Sequence, residues 1–418
     1  MDHILHRLGT NYCVPGFDLQ CEQSEEDEQE ELENSVVLVS IVNLLSRKDF
    51  FFLTRMDWTK FVQKFNCDEA CDGFDRFYRM REKAFRNLSD LLERYVIRKQ
   101  SNFEAEPVHV HVVLHCTLRW LAGASYLDAR LSAGLSRSGF YMCVKRGMEA
   151  ILNCDELAYH FPVELDEVEA SAKAFSKYST NEVITGCVAC IDGFLCEIKT
   201  PSRSETANVR SYFSGHYQLY GINIQAACDS RSRFLEVCVA APGGTNDIAA
   251  YRKTNLKRFV DNLPVGKYVI GDNAYIASEH LINPFSGTQR MRPENDAFNF
   301  YVSQIRIKIE QAFGFMTTKW RILKQPLQVK LKTVPSVILS ITRLHNYVIN
   351  NRSQDFQPLE IEEASMINGI EGEGLGYIPS DRIATEIRGV SVLRETIVSD
   401  INSRALSRPQ WNISRNSE

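Results

Sequence analysis

Five strand-like segments between positions 183 and 270, followed by one long helical stripe, most constrain the fold of this 418-residue chain. The strand-like segments are rich in apolar and β-branched residues, are separated by Gly, Pro, Asp and Ser, and span residues 188–191, 195–198, 220–228, 234–240 and 268–270. The helical stripe recurs at three- and four-residue steps and consists of Val302, Ile305, Ile309, Phe313, Met316 and Trp320. We therefore expect an α/β domain, with a mixed sheet flanked by helices, over residues 166–350.

The segment before this domain, residues 50–165, has helical rather than strand-like patterning. Ser125 and Ser136 are suited to begin two helices on either side of Gly134, which predicts a helix-turn-helix outline. The second of these helices would carry Arg137 and Lys145, two side chains suited to phosphate contacts. Two helices joined by a glycine turn more often only pack together, so DNA contact and simple packing are both open explanations here.

The two ends of the chain have different compositions from its middle. Residues 1–49 combine an acidic run at 22–33 with one short apolar segment, which predicts a disordered tail and a short helix. Residues 351–418 are acidic and glycine-rich, and we expect a loosely held tail there.

Composition excludes several classes of protein. Hydrophobic residues make up 44% of the chain and charged residues 24%, which is ordinary globular composition. No apolar stretch approaches the roughly 20 residues needed to cross a bilayer, so we expect no membrane association. The start lacks a basic end followed by an apolar segment, so we do not expect secretion. Without secretion, the twelve cysteines indicate reduced thiols in the cytosol or nucleus.

Three acidic residues stand where a solvated carboxylate is not expected. Asp192 and Asp272 each follow an apolar strand-like segment, and Glu310 lies on the long helix beside Ile309. Ligand sites form at the carboxyl ends of strands in α/β sheets, so the two aspartates are expected to face one cleft that the helix covers. A cluster of carboxylates repels itself unless cations neutralise it, which favours a hard divalent metal bound by oxygen. Two such ions about 4 Å apart suit an in-line displacement at phosphorus.

Simpler explanations exist for each residue taken alone. An aspartate at a strand end is usually a turn residue, and this explanation covers Asp192, which precedes Gly193, and Asp272, which precedes Asn273. Glu310 lies four residues after Arg306, so an ordinary helical ion pair accounts for it equally well. Asp247 follows Thr245 and Asn246 and is suited to cap a short helix.

The charge around the long helix favours a polyanionic partner. Between Tyr301 and Asn350 there are eight basic residues and one acidic residue, a local balance of +7. Cations hold a nucleic-acid backbone, although a charge run is most often a solvated face. Our candidates for backbone contact are Arg306, Lys308, Lys319 and Arg321.

Seven short motifs resemble, in order, those of the PIF/Harbinger family of DDE transposases and the nuclease-like proteins descended from them. Three carry Asp192, Asp272 and Glu310: Cys-Ile-Asp-Gly at 190–193, Ile-Gly-Asp-Asn-Ala-Tyr at 270–275, and the helical block at 306–323. The others lie at 212–217, 221–229, 241–247 and 283–285. The resemblance covers roughly residues 183–350 and, more weakly, the helical segment before them.

The resemblance implies an RNase H-like fold in which Asp192, Asp272 and Glu310 are the metal-binding triad. Asp272 and Glu310 are 38 positions apart, a spacing typical of the family. Asp247 matches an additional acidic position with an accessory role. Phe194 and Leu195 stand where a Thr-His pair commonly follows the first Asp-Gly, and residues 214–217 replace basic residues, so the substrate contacts differ.

The leading hypothesis is a DNA endonuclease or transposase that uses two Mg²⁺ or Mn²⁺ ions and leaves a 3′-hydroxyl able to attack target DNA. The alternative is a domesticated descendant that binds DNA or chromatin proteins without cutting, and a ribonuclease on the same scaffold is a third option. The resemblance also implies a separate Myb-like DNA-binding partner protein and a nuclear location, reached from the cytoplasm. A homo-oligomer is compatible with the sequence.

Overall fold

The computed structural model describes residues 54–65, 73–96, 108–351 and 391–409. Apart from Thr54, they belong to one compact unit, Arg55–Glu418. Its strands are β1 (Cys187–Glu197), β2 (Phe213–Ser214), β3 (Leu219–Cys228), β4 (Phe234–Pro242), β5 (Tyr268–Ile270) and β6 (Leu281–Ile282). The acidic run, the short helix expected near the start, and residues 352–390 and 410–418 lie outside the described residues.

Helices surround these strands in chain order. Before the sheet come α1 (Trp58–Gln63), α2 (Gly73–Tyr78), α3 (Glu82–Val96), α4 (Val110–Leu121), α5 (Tyr126–Ala133), α6 (Arg137–Asn153) and α7 (Leu165–Ser176). Within or after the sheet come α8 (Asp247–Tyr251), α9 (Asn255–Asp261), α10 (Pro293–Lys319), α11 (Val334–Asn350) and α12 (Val392–Ser403). None of the helices in the described part of the chain is long and apolar enough to cross a membrane.

The sheet is mixed, as the sequence predicts. Strand β3 pairs antiparallel with β1 on one edge and with β4 on the other, and the short β2 pairs with the start of β3. On its far edge β1 pairs in parallel with β5, which pairs in parallel with β6. The two segments predicted at 188–191 and 195–198 are one continuous strand, because β3 pairs with β1 without a break from Cys190 to Glu197.

The two faces of the sheet are covered by different helices. The long helix α10 lies on one face: the Cys190 thiol contacts the Ile305 carbonyl at 3.3 Å, and the rings of Phe194 and Phe313 stack at 5.2 Å. The apolar stripe predicted for this helix is buried. Val168, Leu256 and Val260, from α7 and α9, form a second core against the other face.

The helical segment before the sheet packs onto the same core. Gly134, in the left-handed conformation at φ 65°, ends α5, and the Ser136 hydroxyl accepts a hydrogen bond from Gly139 N at the start of α6. The predicted pair of helices is therefore present, and its role in DNA contact stays a prediction. Arg343 on α11 donates to the carbonyls of Ile151 and Leu152 at the end of α6.

One part of the predicted C-terminal tail is ordered against the α/β domain. Helix α12 buries Ile401, and the nearby Arg408 pairs with Asp296 at the start of α10 at 2.8 Å. Arg394 donates to the Asn283 side chain at 2.9 Å. The expectation of a loosely held tail is therefore wrong for residues 391–409, because an apolar face within an otherwise polar segment finds a partner in α10.

Candidate active site

Asp192 and Asp272 extend from two neighbouring parallel strands. The last paired positions of β1 and β5 are Cys190 and Ile270, and each aspartate lies two residues further along its own chain. Neighbouring strands lie about 4.8 Å apart, so this pairing places the backbones at Asp192 and Asp272 near one another. Side chains alternate along a strand, so Asp192 shares the face of Cys190 and Phe194, which α10 covers.

Both carboxylates are buried and hold local backbone. Asp192 is 4% exposed and accepts a hydrogen bond from Gly193 N at 2.7 Å, and Asp272 is 8% exposed and accepts one from Ala274 N at 2.9 Å. Asp272 follows its strand as predicted. Asp192 does not end a strand: it lies in the middle of β1, although only the pairing with β5 stops before it.

Glu310 lies on α10 between the two positions at which this helix contacts β1. The contacts of Ile305 with Cys190 and of Phe313 with Phe194 bracket both Glu310 and Asp192. The Glu310 carboxylate is paired with Arg306, with 2.5 Å between Oε1 and Nη2, so the helical ion pair considered from the sequence is present. This approach lacks hydrogen-bond alignment, and Glu310 Oε1 is buried without a hydrogen bond.

The three carboxylates fit a hard divalent cation by chemistry more than by arrangement. Oxygen ligands are what Mg²⁺ and Mn²⁺ prefer, and Glu310 Oε1, which is buried without a hydrogen bond, is a candidate for one of them. Within the described ranges, however, no group of three or more His, Cys, Asp or Glu side chains is arranged to hold a metal ion. A metal site would require Glu310 to exchange Arg306 for the ion, and the triad stays a prediction.

Asp247 is held on the opposite face of the sheet from Asp192. Asn246 rather than Asp247 caps α8, and the buried Asp247 Oδ1 accepts hydrogen bonds from Asn223 Nδ2 at 2.7 Å and Gln225 Nε2 at 3.2 Å. Gln225 Oε1 in turn accepts from the Tyr275 hydroxyl at 2.7 Å. We call Asn223, Gln225, Asp247 and Tyr275 the amide network.

Tyr275 is close to all three aspartates. Burial, followed by the charges of Asp192, Asp247 and Asp272, raises the pKa of the Tyr275 hydroxyl well above its usual value. The hydroxyl therefore stays protonated and remains a donor to Gln225. One neutral phenol therefore lies within the electrostatic influence of carboxylates on both faces of the sheet.

The basic residues predicted to contact DNA divide into two groups. The first group is engaged within the protein. Lys308 Nζ lies 3.6 Å from the Tyr178 ring centroid, and burial lowers the pKa of Lys308. Lys319 donates to the Arg79 carbonyl at 3.3 Å. Arg306 is engaged with Glu310. The exposed group consists of Arg321, Arg137 and Lys145.

Sequence reasoning missed Asn223, Gln225 and Tyr275. A usable signal exists, because the two amides are the polar residues within the otherwise apolar segment Ile-Asn-Ile-Gln-Ala-Ala at 222–227. They stand two positions apart and therefore on one face of the strand.

Comparison with known proteins supports the motif resemblance. Residues 191–346 match the family model described as DDE superfamily endonuclease. The chain is 23% identical over 310 residues to "Protein ALP1-like" of Arabidopsis thaliana, covering 68% of this chain and 73% of that protein. It is 23% and 24% identical to "Putative nuclease HARBI1" of Rattus norvegicus and Mus musculus, and spans about three fifths of the length of each. No solved structure gives a significant match.

The match begins at Ile191, one residue before Asp192, and extends through Asp272 and Glu310 to Asn346. The matched region therefore contains the sheet from the middle of β1 onward, helix α10 and most of α11. The chain carries a DDE superfamily endonuclease domain and is a relative of the Harbinger-type transposases and transposase-derived nucleases that its motifs resemble.

Proposed function

We propose that this protein is a metal-dependent DNA endonuclease that leaves a 3′-hydroxyl able to attack target DNA. The observation that carries the proposal is the placement of Asp192 on β1 and of Asp272 just after the neighbouring β5, with the helix that bears Glu310 packed against β1. The strand arrangement supports an RNase H-like fold, because three antiparallel strands (β4, β3, β1) are followed by two parallel ones (β5, β6).

Each acidic residue has a distinct part in the proposed reaction. Asp192 on β1, Asp272 after β5 and Glu310 on α10 would supply the oxygen ligands, and Glu310 would have to separate from Arg306 to do so. Divalent ions, when bound, would lower the pKa of water and stabilise the attacking and leaving oxygens of the phosphodiester. Arg306, once released, would be a cation beside the scissile strand, where it can hold a phosphate oxygen.

DNA would be held by the exposed basic group. Arg321 follows the end of α10, and Arg137 and Lys145 lie on α6 of the helix pair. Lys308 and Lys319 contribute positive potential from partly buried positions. We further propose a Myb-like DNA-binding partner protein, a nuclear location and a homo-oligomer, as the family resemblance implies.

A nicking assay on supercoiled plasmid with Mg²⁺ or Mn²⁺ tests the proposal. Asp192→Asn and Asp272→Asn should each lower the nicking rate at least 100-fold, because each removes a ligand charge while keeping side-chain volume. Asp166→Asn is the matched control, since Asp166 is an exposed aspartate in the first turn of α7. Equal nicking by wild type and Asp192→Asn would refute the assigned role, and cleavage of RNA but not DNA would favour a ribonuclease.

The alternative, a DNA- or chromatin-binding protein that does not cut, is favoured by one observation. Glu310 is neutralised by Arg306 within the chain, so the site has an internal counter-ion for its third carboxylate. Thermal unfolding with and without Mn²⁺ discriminates the two functions. A rise in unfolding temperature supports the enzyme, and retained DNA binding with no Mn²⁺ response supports the alternative.

A further inference from the structure

The amide network lies directly behind the residue that follows Asp192. A Cβ atom built on Gly193 would lie 2.5 Å from Asp247 Oδ1 and 2.9 Å from Gln225 Nε2. Real Cβ atoms do not approach polar atoms so closely, so Asp247 and Gln225 occupy the space that a side chain at position 193 would fill. The network therefore packs against the backbone of β1 at Gly193, on the face of the sheet opposite to the Asp192 side chain.

The same network reaches the turn that carries Asp272. Tyr275 lies three residues after Asp272. Its backbone N–H donates to the Asp272 carbonyl at 3.3 Å, and its hydroxyl donates to Gln225 Oε1. The Tyr275 carbonyl accepts a hydrogen bond from Asn283 Nδ2 at 2.8 Å. The turn is thus held from both ends of Tyr275.

Asp247 itself is well supplied with donors. Two side-chain amides reach its Oδ1, and Gln225 Nε2 also donates to Asn223 Oδ1 at 2.8 Å, which fixes the two amides relative to each other. Asn223 additionally donates to the Thr245 carbonyl at 3.1 Å, just before α8. Polar groups that satisfy one another in a buried site specify a single geometry, and here they join β1, β3, α8 and the Asp272 turn.

We propose that Asp247, Gln225 and Tyr275 are positioning residues that set the separation of Asp192 and Asp272. They act through Gly193 on one strand and through the 272–275 turn on the neighbouring one. None of them needs to touch DNA or a metal ion for this role. The proposal rests on the proposed endonuclease function and assigns a role to Asp247 and to two residues outside the acidic set.

Tyr275→Phe tests the proposal because it removes one hydroxyl and keeps the ring. The ring packs edge-on against Tyr251 at 5.4 Å, so Tyr251→Phe in the same core is the matched control. The readout is the Mn²⁺ concentration that gives half-maximal nicking of plasmid, measured beside the maximal rate and the unfolding temperature. We expect Tyr275→Phe to raise this concentration at least fivefold, with Tyr251→Phe within twofold of wild type.

A second variant covers the outcome in which Tyr275→Phe does not fold. Asp247→Asn keeps the volume and one acceptor oxygen but removes the carboxylate charge that the two amide donors face, and it should raise the half-maximal Mn²⁺ concentration in the same way. A folded Tyr275→Phe or Asp247→Asn protein with the wild-type Mn²⁺ dependence would overturn the positioning role and leave the endonuclease proposal intact. A wild-type protein that neither nicks DNA nor responds to Mn²⁺ in thermal unfolding would overturn both.

Discussion

The ion pair between Arg306 and Glu310 gives the sharpest prediction about the site. Arg306 and Glu310 are 21% and 15% exposed, with 2.5 Å between their charged atoms. Removing one partner of a buried pair costs about 3–5 kcal/mol, whereas exposed pairs contribute about 0.2–1 kcal/mol. For this partly exposed pair we expect Arg306→Met to lower the free energy of unfolding by roughly 2 kcal/mol without metal, below the buried range.

If Glu310 is a metal ligand, the same substitution should strengthen metal binding. In the wild type, an ion must displace Arg306 before it engages Glu310, while in Arg306→Met the carboxylate already lacks this counter-ion. A difference of roughly 2 kcal/mol corresponds to about a 30-fold change in dissociation constant. We therefore expect the Mn²⁺ midpoint in thermal unfolding of the DNA-free protein to fall by about that factor.

Omitting DNA from this measurement removes any effect of Arg306 on phosphate binding. Arg86→Met is the matched control, since Arg86 pairs with Glu82 at the same helical spacing but is 62% exposed. It should leave both stability and the Mn²⁺ midpoint nearly unchanged. An Arg306→Met protein that is destabilised equally with and without saturating Mn²⁺, with an unchanged midpoint, would contradict the ligand role of Glu310.

Two further predictions concern pH and salt. Burial lowers the pKa of His115 to about 4, and its ring nitrogens bond the Tyr78 and Ser132 hydroxyls. As the pH falls, His115 is therefore protonated in the unfolded chain before it is protonated in the folded protein. The stability present above pH 6.5 should be lost as the pH falls toward 4. Denaturant titration of His115→Gln should show a flatter pH dependence than His160→Gln, an exposed control; equal slopes would contradict the assignment. The double variant Arg137→Gln/Lys145→Gln should weaken DNA binding and reduce the slope of log affinity against log salt by about 2. Lys60→Gln is the control for this measurement. An unchanged slope in the double variant would mean that α6 does not contact phosphate.

Much of the fold follows from local patterns in the sequence. The stripe from Val302 to Trp320 predicts α10 because its apolar residues recur at helical spacing, and Pro293 at the first turn is suited to begin that helix. Arg306 and Glu310 are four residues apart on it, so their pairing is also a local property.

Other features depend on contacts between distant residues and could not be predicted this way. The apolar positions from Phe74 to Leu91 match a single helix, yet the chain breaks between α2 and α3, where Arg79 has a φ of 62°. Arg119, 40 residues later, donates to the Phe77 carbonyl at the end of α2. Helix α12 could not be predicted for the same reason, since its partner α10 lies about a hundred residues earlier.

The pair Asp192-Gly193 illustrates why a local explanation of the site fails. An aspartate followed by glycine normally indicates a turn, but here both residues lie inside a paired strand. The glycine is required because Asp247, brought in by α8, fills the space on its side of the sheet. Asp192 faces α10 because the alternation of side chains along β1 directs it to the opposite side of the sheet from Asp247. The dipeptide therefore contributes to two sites, with Gly193 making room for Asp247 and Asp192 facing α10. The register of β1 against β3 decides which residue faces which side, and no local pattern specifies that register.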